Sequence, residues 1–481
     1  MLESSDDTFS LHVAGLQRAS IVAAAGCGKT EQIARAVACS SHRRLILTHT
    51  HAGVDAVTAR LKKLSVSSDR FKVETIAGWC LRFAASFPVR SKIKSQRPTT
   101  SAEWNAVYEA ALRLFQTKAI TQIISASYEG MFVDEYQDCS PLQHRVVCLL
   151  ANELPTCIFG DPLQAIFDFK GQIPVNWGTE VYPEFPLVAE LETPWRWRAS
   201  KNESLADWLR YVREALKAGE EIDLMAAPAC VVWSRLPDDP TQHQPAIFAQ
   251  CLNSMYAGES LVVIGNSTNE ASRASLAQKL SKKGFSTIEA VNCKSLAKNA
   301  KAIEGKVGRL LFDALLNFAS ECMTGTEKAL LGKAIDSRLN GGRGGKKFGE
   351  LFPVIDALIS TGTGEAAVAF LDALKEMPGT YLFRREMFYA MRSALILRGS
   401  VEGYTLKSAV AEVQNKQRHI GRKLPFRCIG STLLVKGLEF DHAVVVHSAN
   451  MSMKDWYVAL TRATRTIRIV SPKPSIRTVK S

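Results

Sequence analysis

Residues 19 to 30 constrain this chain more than any other stretch. Ala19-Ser20-Ile21-Val22-Ala23-Ala24 is an apolar run long enough for one buried strand. Ala25-Gly26-Cys27-Gly28 interrupts it, and Lys29-Thr30 opens a segment with Ile33, Ala34, Val37 and Ala38 at helical spacing. Strand, glycine-bearing loop and helix in that order are the frame of a phosphate loop. The pattern holds except that Ala23 stands at the first glycine position. Gly26 and Gly28 let backbone N–H groups of Ala25 to Gly28 face an anion. The helix start adds partial positive charge there. Lys29 would reach the β- and γ-phosphates of a nucleotide, and Thr30 would ligate Mg²⁺.

The rest of the chain repeats the alternation. Arg44 to Thr48, Met131 to Val133 and Thr156 to Phe159 read as strands, and Ala52 to Leu64 reads as a helix. A second series follows: strands at Ala229–Trp233, Ser260–Ile264, Pro425–Ile429 and Ala443–His447, with a helix over Ala271 to Lys283. Residues 290 to 424 carry Leu, Ala and Lys at helical spacing and read as a helical insertion. Its Asn340-Gly341-Gly342-Arg343-Gly344-Gly345-Lys346-Lys347 stretch reads as a surface linker, with phosphate contact as the alternative. Strands alternating with helices predict α/β architecture with parallel sheets covered on both faces.

A second chemical signal is Asp134-Glu135, directly after the apolar Met131-Phe132-Val133. Acids at a strand end are costly unless solvated or used. Asp134 is placed to hold Mg²⁺, and Glu135 to orient or deprotonate an attacking water.

Composition narrows the classes. Sixty Lys+Arg against 47 Asp+Glu give a net charge of +13 over 481 residues, which favours an anionic partner. No apolar run approaches the roughly 20 residues of a membrane helix. The acidic start, Glu3 to Asp7, argues against a signal peptide. The 11 cysteines show no C-x-x-C pair, so the expectation is free thiols in a reducing cytoplasm.

Several spaced blocks, taken together, resemble the UvrD/Rep-like family of superfamily 1 DNA helicases. They are the loop at 23–30, Asp134-Glu135-Tyr136-Gln137-Asp138, and Gly160-Asp161-Pro162-Leu163-Gln164-Ala165-Ile166-Phe167. Leu191-Glu192-Thr193-Pro194-Trp195-Arg196 follows, with Trp in place of the family's Tyr, then Lys436-Gly437-Leu438-Glu439-Phe440 and Tyr457-Val458-Ala459-Leu460-Thr461-Arg462-Ala463. The resemblance implies two RecA-like parallel-sheet motor domains with helical insertions, and one ATP in the cleft between them. On that reading the first motor domain is 1–190, with a short helical insertion at about 85–127. The second is 191–289 and 425–481, split by the insertion at 290–424.

The same resemblance implies roles. Gln164 would sense the γ-phosphate and the attacking water, and Arg196 and Arg462 would neutralise transition-state charge. Trp195 would stack on adenine, Glu439 would hold the ribose, and Gly437 would allow close approach. His49, Thr50 and Thr75 fall where the family grips single-stranded DNA, and Phe167, Phe169 and Lys170 where it stacks bases. The implied activity is a DNA-dependent ATPase and 3′–5′ helicase or translocase acting on single-stranded or tailed duplex DNA. The alternative is a DNA-sensing ATPase that regulates a nuclease subunit. DNA repair and antiviral defence are the corresponding settings.

Overall fold

The computed structural model describes residues 3–96, 98, 100–166, 174–265, 269–290, 293–400, 403–419 and 424–477. The chain divides into two compact units. The first runs to Glu220 and is joined by Ser452–Thr464; the second comprises Glu221–Met451 and Arg465–Arg477.

The first unit is built on a six-stranded sheet. Its strands are β1 (Arg18–Ala23), β2 (Arg44–Thr48), β3 (Phe71–Thr75), β4 (Gly130–Val133), β5 (Thr156–Gly160) and β6 (Leu187–Leu191). Their spatial order is β3-β2-β4-β5-β1-β6, and every pairing is parallel. The strand period of two explains the double covering. Ile46 and Phe132 face one core with Ile33 and Val37, while Leu45, Leu47, Met131 and Val133 face another with Trp79 and Phe115. Between β3 and β4 lie the helices Ile76–Ser86, Pro88–Ser91, Ser101–Phe115 and Lys118–Ser127.

The edge strands β3 and β6 carried no strand expectation. Phe-Lys-Val-Glu-Thr and Leu-Val-Ala-Glu-Leu are partly solvated, so neither shows the unbroken apolar run of a central strand.

The second unit has its own six-stranded sheet, in the order Phe285–Thr287, Arg427–Gly430, Leu261–Ile264, Phe440–Val446, Ala463–Ser471, Val231–Arg235. The pairings described in register are parallel. Among the described residues, seven helices between Lys294 and His419 bury a separate core that includes Phe312, Phe318, Phe370 and Phe388. Arg384, just before the helix Arg385–Ser400, donates to Glu289 at 2.7 and 2.8 Å and to Glu270 at 2.6 Å. The α/β reading with two parallel sheets is borne out by the described pairings. No described helix is long and apolar enough to cross a membrane.

Candidate active site

The loop after β1 is shaped by its glycines. Gly26 and Gly28 have φ of 72° and 84°, the left-handed region that side chains disfavour, and Gly28 starts the helix Lys29–Cys39. Both also lie against the Trp195-Arg196-Trp197 segment. A Cβ on Gly26 would fall 2.8 Å from the Trp197 ring and 2.9 Å from Arg196 Cβ; one on Gly28 would fall 3.1 Å from Trp195 Cδ1. The Arg196 N–H donates to Gly26 O at 3.2 Å. Trp195 is 51% exposed, so much of its ring is open to a stacking partner. The N–H of Ala25 is already engaged, donating to the Tyr457 hydroxyl oxygen at 3.0 Å.

The acids follow β4. Lys29 Nζ donates to Glu135 Oε2 at 3.0 Å, and Thr30 hydrogen-bonds Asp134. Burial opposes the Lys29 charge, but Glu135, Asp134 and Asp161 outweigh it and hold the ammonium above its ordinary pKa. Burial, helped by Glu135, pushes the Asp134 carboxyl up to about 6. Glu135 adopts φ 55°, an uncommon geometry for a residue with a side chain, and its N–H donates to Asp134 Oδ1 at 2.8 Å. The donor set fits a magnesium nucleotide: a hydroxyl and a buried carboxylate side by side, and a lysine whose counter-charge a phosphate could replace.

Beyond Glu135 a chain of polar groups continues. Gln137 Nε2 donates to Glu135 Oε2, and Gln137 Oε1 accepts the Asp161 N–H at 3.0 Å. Gln164 Nε2 donates to Asp161 Oδ2 at 2.9 Å. Arg213 Nη1 donates to Asp161 Oδ1 and to the Tyr457 hydroxyl oxygen, both at 2.8 Å. The close approach of Gln137 and Trp177 explains Gly160, where a Cβ would lie 2.8 and 2.6 Å from them. Sequence reasoning gave no role to Gln137, Asp161, Arg213 or Tyr457. The available signal was Arg213: a cation on the buried stripe of the helix Glu203–Ala218, beside Leu209, Val212 and Leu216.

The other expected residues have these places. Arg196 Nη1 donates to Thr461 O at 2.9 Å. Arg462 is buried; its Nε donates to Val458 O and its Nη2 to Thr461 Oγ1, both at 2.8 Å. These residues lie in the first unit with Lys29. Gly437 and Glu439 lie in the second unit, exposed, between the helix Thr432–Val435 and the strand Phe440–Val446. Thr50 and Thr75 start the helices His51–Lys63 and Ile76–Ser86, each hydroxyl oxygen accepting an N–H at 3.0 Å, from Gly53 and Gly78. His49 Nε2 lies 3.3 Å from Cys139 Sγ. Phe167, Phe169 and Lys170 fall outside the described residues.

The family described as the UvrD/REP helicase N-terminal domain matches residues 95–177. No curated protein matches the chain. Loosely similar solved structures include two helicases. The arterivirus nonstructural protein 10 helicase, solved with DNA, is 10% identical over 96% of this chain and 63% of its own, with a TM-score of 0.36. The chain thus spans less than two thirds of that helicase. The Pif1 helicase from Bacteroides, solved with ADP-AlF3 and single-stranded DNA, is 10% identical over 99% of this chain and 94% of its own, with a TM-score of 0.39. Likenesses this loose carry no residue roles across. The resemblance read from the ordered motifs is borne out over residues 95–177, where the chain is similar to the UvrD/REP helicase N-terminal domain.

Proposed function

We propose that this protein is an ATP-driven DNA motor of the UvrD/Rep type, moving 3′ to 5′ on single-stranded DNA. One observation carries the reading: Lys29, Thr30, Asp134 and Glu135 converge where β1 and β4 end, on a glycine-shaped helix start. The loop and Lys29 bind phosphates, Thr30 and Asp134 hold Mg²⁺, and Glu135 takes the proton of the attacking water. Bound Mg²⁺ supplies neutralising charge for the phosphates. Gln164 orients the water, and Arg196 and Arg462 stabilise the charge that develops. Trp195 stacks on the base of the nucleotide, while Gly437 and Glu439 receive its ribose. His49, Thr50 and Thr75, together with Phe167, Phe169 and Lys170, hold the strand.

The test uses the purified full chain with ATP, Mg²⁺ and tailed duplexes. Single-stranded DNA is expected to stimulate hydrolysis, and Lys29→Ala and Glu135→Gln each to reduce it at least 100-fold. A 3′-tailed duplex is expected to be displaced and a 5′-tailed one spared. Vigorous hydrolysis without displacement would favour a DNA-sensing switch that regulates a nuclease. Near-normal turnover in Lys29→Ala would remove the site assignment.

A further inference from the structure

We infer that Arg213 is a positioning residue for ATP hydrolysis, holding the Gln164 amide in place through Asp161; this rests on the reading of the site proposed above. Arg213 lies outside every motif that carries the family resemblance. It sits on the buried face of the helix Glu203–Ala218, and its side chain is 8% exposed. Nη1 reaches two groups distant in sequence: Asp161 Oδ1 and the Tyr457 hydroxyl, both at 2.8 Å.

Asp161 is fully buried, with a side-chain exposure of 0%, and both its oxygens are used. Oδ1 accepts from Arg213 and from the Leu163 N–H, and Oδ2 accepts from Gln164 Nε2. Among the described ion pairs, Arg213 is the cation that meets this carboxylate. An ionised carboxylate is acceptor-only, so it fixes which end of the Gln164 amide it holds and leaves the amide oxygen for the reacting water. The Tyr457 hydroxyl oxygen accepts from the same Nη1 and also accepts the Ala25 N–H. Burial opposes the Arg213 charge, yet Asp161 and then Tyr457 hold it above its ordinary value. A buried ion pair is seldom the cheapest way to stabilise a core, whereas it does fix geometry. Here the fixed geometry ends on Gln164 through Asp161 and on the phosphate loop through Tyr457.

The experiment measures steady-state ATP hydrolysis with saturating single-stranded DNA, and binding of a fluorescent ATP analogue, for Arg213→Met, Gln164→Ala and the double variant. Arg213→Met is expected to lower kcat at least tenfold while analogue affinity stays within about threefold. In the Gln164→Ala background the same substitution is expected to change kcat less than twofold. Losses that multiply, or an Arg213→Met kcat within twofold of wild type, would overturn the assignment. If Arg213→Met does not fold, Tyr457→Phe replaces it. It is expected to lower kcat at least threefold in the wild-type background and not in Gln164→Ala, and an unchanged kcat would again overturn the inference. A wild-type chain that hydrolyses no ATP brings down the parent reading, and this one with it. Normal wild-type hydrolysis lost in Lys29→Ala but kept in Arg213→Met brings down this inference alone.

Discussion

Two glycines and one glutamate give the candidate site its backbone shape. Gly26 combines a left-handed φ of 72° with side-chain atoms 2.8 and 2.9 Å from where a Cβ would stand. Gly26→Ala therefore meets both a conformational and a packing penalty, together about 2–4 kcal/mol. We expect urea denaturation to register that loss and ATP binding to weaken at least tenfold. Glu135, at φ 55°, bears strain that Lys29 and Gln137 help to contain by binding its carboxylate. Lys29, Thr30, Asp134 and Glu135 were legible because each sits next to a run with a clear period. Arg213 was not, because periodicity marks positions as buried but does not say which other group shares the burial. The caps were half legible. Thr50-His51-Ala52-Gly53 and Thr75-Ile76-Ala77-Gly78 have one pattern, and each places a threonine oxygen on the N–H of a glycine three residues on.

At the scale of elements, the ion pairs of Arg384 fasten the segment before one helix to the sheet side of the second unit. Arg384 Nε donates to Glu289, just past the strand Phe285–Thr287, and both side chains are under a tenth exposed. Arg384→Met would remove the guanidinium that binds both oxygens of the buried Glu289, at a cost of about 3–5 kcal/mol. Denaturant titration of the intact chain checks this. Burial pushes the Glu289 carboxyl up, but the hydrogen bonds and charge of Arg384 overcome that and hold it below its ordinary value of 4.5. A depressed carboxylate contributes stability that is present above that value and is lost as pH falls through the folded one. The wild-type melting temperature is thus expected to drop below about pH 4.5, and that of Arg384→Met to drop less over the same window. Element boundaries followed solvation. The central strand Arg44–Thr48 matched its expected limits, because a strand covered on both faces reads as one apolar run. Pro425–Ile429 instead forms Arg427–Gly430, two residues later at its start; Pro425 has no N–H to give to a ladder.

For the whole molecule, the charge of +13 gives a measurable expectation. If the protein grips a strand by its phosphates, affinity for a single-stranded oligonucleotide falls at least tenfold between about 50 and 200 mM salt, as counterions are released. Fluorescence anisotropy across that range checks it, and a flat response would contradict a backbone grip. The blocks at 134–138 and 160–167, inside the matched residues 95–177, were legible because each is short and contiguous. The path of the chain was not: Ser452–Thr464 leaves the second unit to complete the first. That excursion has a consequence for biosynthesis. The Ala25 amide and its Tyr457 acceptor are 432 positions apart. At roughly 5–20 residues per second, the ribosome adds the missing hydroxyl tens of seconds after the loop has emerged. Until then the nascent first unit must wait with one of its interior contacts unmade, and a truncated transcript would yield a protein that has the lysine but not the finished cradle around it.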